Sequence, residues 1–271
     1  EKMKSQICDL LKIEFPLVAF SHCRDVVAAV SKAGGMGVLG AVGLTPEKLE
    51  IELNWIDEHI DGKPYGVDVL VPNSYVGKGE NLTTDDLRAM IPQEHRDFRS
   101  DILEQYDLQA SDLRSSENSK ELESNSNGVL GAGLDGAKEV LEVAFAHPIS
   151  LVANALGVPP KWMLEMGKEH NVPVAALVGA KQHAVKQAEA GVDIIVVSGT
   201  EGGGHCGSVS TMVLVPEVRR ALKDYGDVPI LAAGGICTGE QMAGVMAMGA
   251  DGVWCASVFL PTTEAETSDN V

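Results

Sequence analysis

The chain has 271 residues, 45% of them hydrophobic and 4% aromatic, with 29 glycines, enough to bury one substantial core and close to the ~250 residues of a single (β/α)8 barrel. Its formal net charge of −18 argues against nucleic acid or an anionic membrane as partner, since both are polyanions. The five cysteines include no CxxC pair, no run reaches the ~18 apolar residues of a membrane helix, and residues 1–16 lack the apolar core of a signal peptide, so reduced thiols and a cytoplasmic location are expected.

In chain order, FPLVAF (15–20) reads as a first strand and 24–34 as the helix after it, closed by Gly34. MGVLGA (36–41) is a second strand. Residues 45–60 start on Thr45 and Pro46, a cap followed by proline at the first helical position, and run at helical period. KPYGVDVLVP (63–72) is a third strand. Residues 73–130 then break the rhythm, with twelve acidic residues against six basic ones, a net of −6. Within them 83–95 and 96–106 have helical composition, while 114–128 (RSSENSKELESNSNG) reads as mobile loop. This acidic insert is either a lid over a site or a solvated excursion. Strands resume at 148–156, 172–179 and 192–197, with helices at 159–170 and 180–191 between them. A further strand at 228–236, a helix at 239–250 and a last strand within 249–260 complete eight. Strands alternating with helices predict one parallel (β/α)8 barrel over 1–271, with the insert after strand three and a short C-terminus.

Two glycine turns follow strand ends. SGTEGGGHCG (198–207) leaves the apolar run VDIIVV and delivers His205, whose ordinary pKa near neutrality suits a proton acceptor. Consecutive glycines cost backbone entropy, and their natural use is close approach to a ligand. AAGGICTG (232–239) ends another strand, so Gly234 and Gly235 can offer bare N–H groups to a phosphate, with the Ser257 hydroxyl after the final strand.

These segments, together with GADGVWCASVFL (249–260) and SKAGGMGVLG (31–40), resemble the core motifs of the nitronate monooxygenase family, also called 2-nitropropane dioxygenases. The resemblance covers most of 12–264 apart from the insert. It implies a (β/α)8 barrel with non-covalent FMN and a histidine base matching His205. It implies oxidation of alkyl nitronates by dioxygen. The resemblance also leaves open an NAD(P)H-dependent reductase of an enoyl or ring-containing thioester, and a non-catalytic flavin-binding module remains a third reading.

On this resemblance the flavin site comprises Ala19, Phe20, Asp68, Ser198, Gly199, Gly203, Gly204, Gly234, Gly235, Ala256 and Ser257. Gly199 and Gly203 are expected to bring backbone up to the ring. Three positions depart from the family pattern. Ala19-Phe20-Ser21-His22 stands where Gln-Ala-Pro-Met is usual, so His22 either faces the flavin as a second catalytic candidate or is a loop histidine. Asp68 replaces a common Asn, and a carboxylate there opposes negative charge on a reduced flavin unless it is protonated or turned away. Ser198 replaces a common Gln. Glu201 either orients its loop or is solvated. No metal site is expected, because adjacent His205 and Cys206 side chains point apart. The expected partner is a small-molecule substrate; homo-oligomerisation is open.

Overall fold

The computed structural model describes residues 5–71, 84–108 and 133–267. Its eight strands are β1 (Leu17–Ser21), β2 (Met36–Gly40), β3 (Tyr65–Val69), β4 (Leu151–Asn154), β5 (Val174–Val178), β6 (Ile194–Ser198), β7 (Ile230–Ala233) and β8 (Gly252–Cys255). They pair in sequence order and β8 returns to β1, so the sheet is a closed parallel barrel. The helices, in chain order, are α1 (Gln6–Leu11), α2 (Arg24–Lys32), α3 (Pro46–His59), α4 (Thr84–Ala89), α5 (Gln93–Gln105), α6 (Gly133–Ala146), α7 (Lys161–His170), α8 (Lys181–Ala190), α9 (Thr211–Ala221) and α10 (Gly239–Ala247).

Strand alternation sorts the apolar side chains into two cores. Val18, Met36, Val38, Leu151, Ile194 and Leu231 fill the barrel interior. Leu39, Val67, Val152, Ile195, Val197 and Val253, one residue out of phase, meet the surrounding helices. Gly37 has no room for a side chain, since a Cβ would stand 2.3 Å from the Val27 carbonyl oxygen, and this lets α2 lie directly on β2.

Three helices were not legible in the sequence: α1, α6 and α9. The short α1 places Ile7, Cys8 and Leu11 in the interior cluster and so plugs the N-terminal end of the barrel. It is tied down by Ser5 Oγ donating to the Asp251 carbonyl and Gln6 Nε2 donating to Asp251 Oδ1 at 3.0 Å. Asp251 also accepts from Arg219 and from the Ile230 N–H. With that end filled among the described residues, the C-terminal end is the open one. In the insert, α4 and α5 are helical as expected, and α5 buries no residue. The stretch 114–128 lies outside the described residues.

One clasp joins α3 to the turn after α6. His147 Nδ1 lies 2.7 Å from Asp57 Oδ2 and Nε2 lies 3.1 Å from Glu50 Oε2, while Tyr65 donates to Asp57 Oδ1 at 2.7 Å. Burial works against the charged imidazole, but the hydrogen bonds and charges of Asp57 and Glu50 outweigh it and raise its pKa. The stabilisation is therefore complete below the unfolded value of about 6.5 and is lost as pH rises through the raised folded value. Thermal unfolding should show Tm falling with pH over that range, and His147→Gln should flatten the slope.

Candidate active site

At the C-terminal end of the barrel a cavity of about 660 Å³ opens between strand ends and the loops beyond them. This is the size range of a cofactor site and the end of the barrel where such sites are built. Phe20, Asp68, Leu177, Ser198, Ala233 and Trp254 form its floor, and Phe20 stacks against Trp254 with centroids 6.3 Å apart. Among the described residues its lining contains no lysine or arginine.

After β7 the backbone turns through two glycines, Gly234 at φ +96° and Gly235 at φ +70°. Both lie in the left-handed region that side chains disfavour. A Cβ on Gly235 would stand 3.0 Å from Glu201 Cβ, and one on Gly234 would stand 3.0 Å from the Gly202 nitrogen. Among the described residues no backbone hydrogen bond uses the N–H of either glycine. Ala256 and Ser257, just past the end of β8, line the same cavity. The turn is thus a bare N–H cradle with a hydroxyl beside it, chemistry that suits a phosphate.

The loop after β6 is held at three of its five glycines. At Gly199 a Cβ would stand 2.2 Å from the Thr211 nitrogen, at Gly202 2.6 Å from Ser198 Oγ, and at Gly207 2.0 Å from the Gly179 carbonyl oxygen. Gly203 and Gly204 have open space around them, and Gly204 adopts φ +72°. Gly199 was expected to make room for a flavin ring; what its small size permits here is the approach of α9, and it is not on the cavity lining. Gly199→Ala should therefore lower stability by about 3 kcal/mol or more, the upper end of overpacking, and Tm on the order of 10 °C. Gly203→Ala should leave Tm nearly unchanged, which calorimetry of the two variants can check.

Glu201 has a defined task. Its Oε2 accepts from the Thr211 N–H at 2.9 Å and from the Thr211 hydroxyl at 3.0 Å. The carboxylate so caps the first turn of α9, and the backbone hydrogen bond from Thr211 holds its pKa low. Thr211 Oγ1 also lies 3.1 Å from the Ala233 carbonyl and 3.2 Å from that of Gly234. One residue thus couples the β6 loop to the β7 turn. The signal in the sequence was Ser210-Thr211 followed by apolar residues at helical spacing, with Pro216 interrupting the pattern.

The two histidines are placed differently. His22 lines the cavity mouth. Its Nδ1 lies 3.1 Å from the Gly40 carbonyl oxygen; a carbonyl can only accept, so this nitrogen carries the hydrogen and Nε2 of the neutral ring is left with its lone pair. Gly40 makes room for it, since a Cβ there would stand 2.6 Å from His22 Nδ1. His205 is exposed and sits off the cavity lining, on the loop just beyond Gly203 and Gly204. Ala19 turns its side chain to the helix layer, one residue out of phase with Val18 and Phe20. The structure thus gathers Phe20, His22, Asp68, Ser198, Gly203, Gly234, Gly235, Ala256 and Ser257 on one cavity, with Ala19, Gly199, Gly204 and His205 outside its lining.

The profile of the nitronate monooxygenase family matches residues 4–271. The chain belongs to that family. It is an enzyme of the monooxygenase class, and the closed eight-stranded barrel agrees with its structural relatives. A candidate monooxygenase of Mycobacterium tuberculosis, Rv1533, is 52% identical over 98% of this chain and 68% of its own length. A Staphylococcus saprophyticus protein named as a probable nitronate monooxygenase is 25% identical over 98% of this chain and 71% of its own. The solved structure of nitroalkane oxidase from Streptomyces ansochromogenes superposes with a TM-score of 0.71 at 25% identity, covering 96% of this chain and 69% of that one. FabK from Thermotoga maritima shares the fold at 24% identity, with a TM-score of 0.68, over 97% of this chain and 64% of that one. Among the described residues no helix is long and apolar enough to cross a membrane.

Proposed function

We propose that this member of the nitronate monooxygenase family is an FMN-dependent oxidoreductase that oxidises alkyl nitronates with dioxygen. The observation that carries the reading is the double-glycine cradle at Gly234 and Gly235, with its unused N–H groups, opening with Ser257 onto the 660 Å³ cavity. The residues fit the group: the two turns after β7 and β8 would hold the phosphate, and Phe20, Ser198, Gly203 and Trp254 would border the ring. Likeness to a solved nitroalkane oxidase supports the substrate class.

The chemistry FMN supplies when bound is the passage of electrons from substrate to dioxygen. The chain's own tasks are different. The apolar floor of Phe20, Leu177 and Trp254 excludes water. The Glu201–Thr211 clasp fixes the β6 loop against the phosphate turn. Within that loop Gly203 and Gly204 have open space around them, so that the segment would bring His205 to the substrate to take a proton or orient the nitronate. His22 stands at the mouth with Nε2 available as a hydrogen-bond acceptor.

An anaerobic titration tests this. Bleaching of bound flavin by an alkyl nitronate, but not by NADH or NADPH, is the expected result. Bleaching by a reduced nicotinamide alone would move the enzyme to the enoyl-reductase reading, and flavin binding without bleaching by any donor to the non-catalytic one. Protein that folds but cannot be loaded with FMN would overturn the proposal.

A further inference from the structure

Asp68 is the only carboxyl group among the described residues that is buried, at 2% exposed. It sits on β3, between Gly40 of β2 and Ala153 of β4, and lines the cavity together with Ser198 and the apolar side chains of Phe20, Leu177 and Trp254. Its backbone carbonyl is used by the Ala41 N–H at 2.8 Å, but among the described residues no hydrogen bond or ion pair reaches its carboxyl oxygens.

Among the described residues, the titratable groups that share the cavity leave Asp68 without a countercharge. From the end of β1 come His22, whose Nδ1–H is committed to the Gly40 carbonyl, and Cys23; from the β6 loop Glu201; from the β7 and β8 ends Cys237 and Cys255; and from beyond β8 Glu266. The carboxylates only add negative charge. Burial among apolar surfaces, with no cation beside it among the described residues, favours the uncharged form and pushes Asp68 well above the ordinary carboxylate range. A neutral carboxyl has one O–H to donate, and among the described residues that donor meets no acceptor. It faces the cavity, where a ligand can supply one.

We propose that Asp68 is an uncharged hydrogen-bond donor to the oxyanion of the substrate, an alkyl nitronate or an enolate of similar size, at the floor of the cavity. The assignment rests on the flavin-oxidoreductase reading above. It accounts for how a cavity with no lysine or arginine among its described lining residues receives an anionic head group: the O–H of a neutral acid forms a short, strong bond to an oxyanion without placing a second charge in an apolar floor. Carboxylic acids held neutral at pH 7 serve this purpose at other oxyanion sites. Asn at this position would keep a neutral donor; Leu would keep the volume and remove it.

Two measurements test the assignment. Infrared difference spectra of the apoprotein and the FMN-loaded protein, wild type minus Asp68→Asn, should show a protonated-carboxyl C=O band at neutral pH that shifts in D2O. Anaerobic titration of the FMN-loaded protein with propyl-2-nitronate, and separately with a series of phenolates, reads binding through the flavin spectrum. Wild-type affinity should fall as rising pH ionises Asp68, while Asp68→Asn should bind at every pH without that dependence. Asp68→Leu should bind about 10- to 100-fold more weakly, the worth of one hydrogen bond to a charged group. A missing C=O band, or equal affinity of Asp68→Leu and wild type for both oxyanions, would overturn the proposal. Binding of phenolates with no binding of the nitronate would instead tell against the nitronate reading while leaving Asp68 as an oxyanion donor.

Discussion

Gly235→Glu should purify folded and colourless, while the wild-type protein should carry FMN at close to one per chain. Gly235 stands at φ +70°, where a side chain strains the backbone, and its Cβ would stand 3.0 Å from Glu201 Cβ. The added carboxylate would lie in the N–H cradle itself, excluding the phosphate by volume and repelling it by charge. Gly235→Ala separates these contributions, since it brings the strain and the Cβ without the charge, and it should weaken FMN binding rather than abolish it. Thermal melts provide the readout. A ligand at 100 times its Kd stabilises the folded state by about 2.7 kcal/mol, so FMN should raise the Tm of wild type by several degrees and leave that of Gly235→Glu unmoved. An equal FMN-dependent rise in both proteins would show that the phosphate lies elsewhere.

The barrel was legible in the sequence because parallel strands buried on both faces read as unbroken apolar runs, and VDIIVV and VPILAA are of that kind. Its glycine turns were legible for a related reason: such turns at successive strand ends have few structural uses. Three helices escaped. Pro216 interrupts the pattern of α9, although Leu214, Val215 and Val218 are buried at helical spacing. The six-residue α1 is too short to show a period, and α6 emerges from the glycine-rich end of the acidic insert. The site was legible by residue type more than by reason. That Gly199 serves the approach of α9 depends on where Thr211 arrives in space, which no local pattern records. The role of Glu201 was evenly open for the same cause, since its partner lies ten residues on and on another element. Asp68 stood out as a departure from the family pattern, but only its burial and the absence of a cation around it among the described residues turn the departure into chemistry.

His205→Ala should keep FMN and lose about 10²- to 10⁴-fold in turnover, the usual worth of a positioned acid or base. The expectation depends on a movement. His205 is exposed and off the cavity lining, yet the two residues it follows closely, Gly203 and Gly204, are the ones in the loop whose surroundings are open. Gly199, Gly202 and Gly207 anchor the rest of that loop to α9, to Ser198 and to the end of β5. The segment from 203 to 205 is therefore the least tethered part of the loop, with Cys206 Sγ donating to the Thr200 carbonyl at 3.8 Å beyond it, and closure of such a segment over a ligand is a common way to complete a site. Gly203→Pro tests the movement without touching the imidazole: by restricting the hinge it should lower turnover while leaving FMN bound. His22→Ala is the decisive comparison, because His22 already fronts the cavity, and among the described residues its Nε2 has no hydrogen-bond partner. If turnover survives in His205→Ala and Gly203→Pro but collapses in His22→Ala, the proton acceptor is the histidine at the end of β1, and the glycine loop serves the cofactor alone.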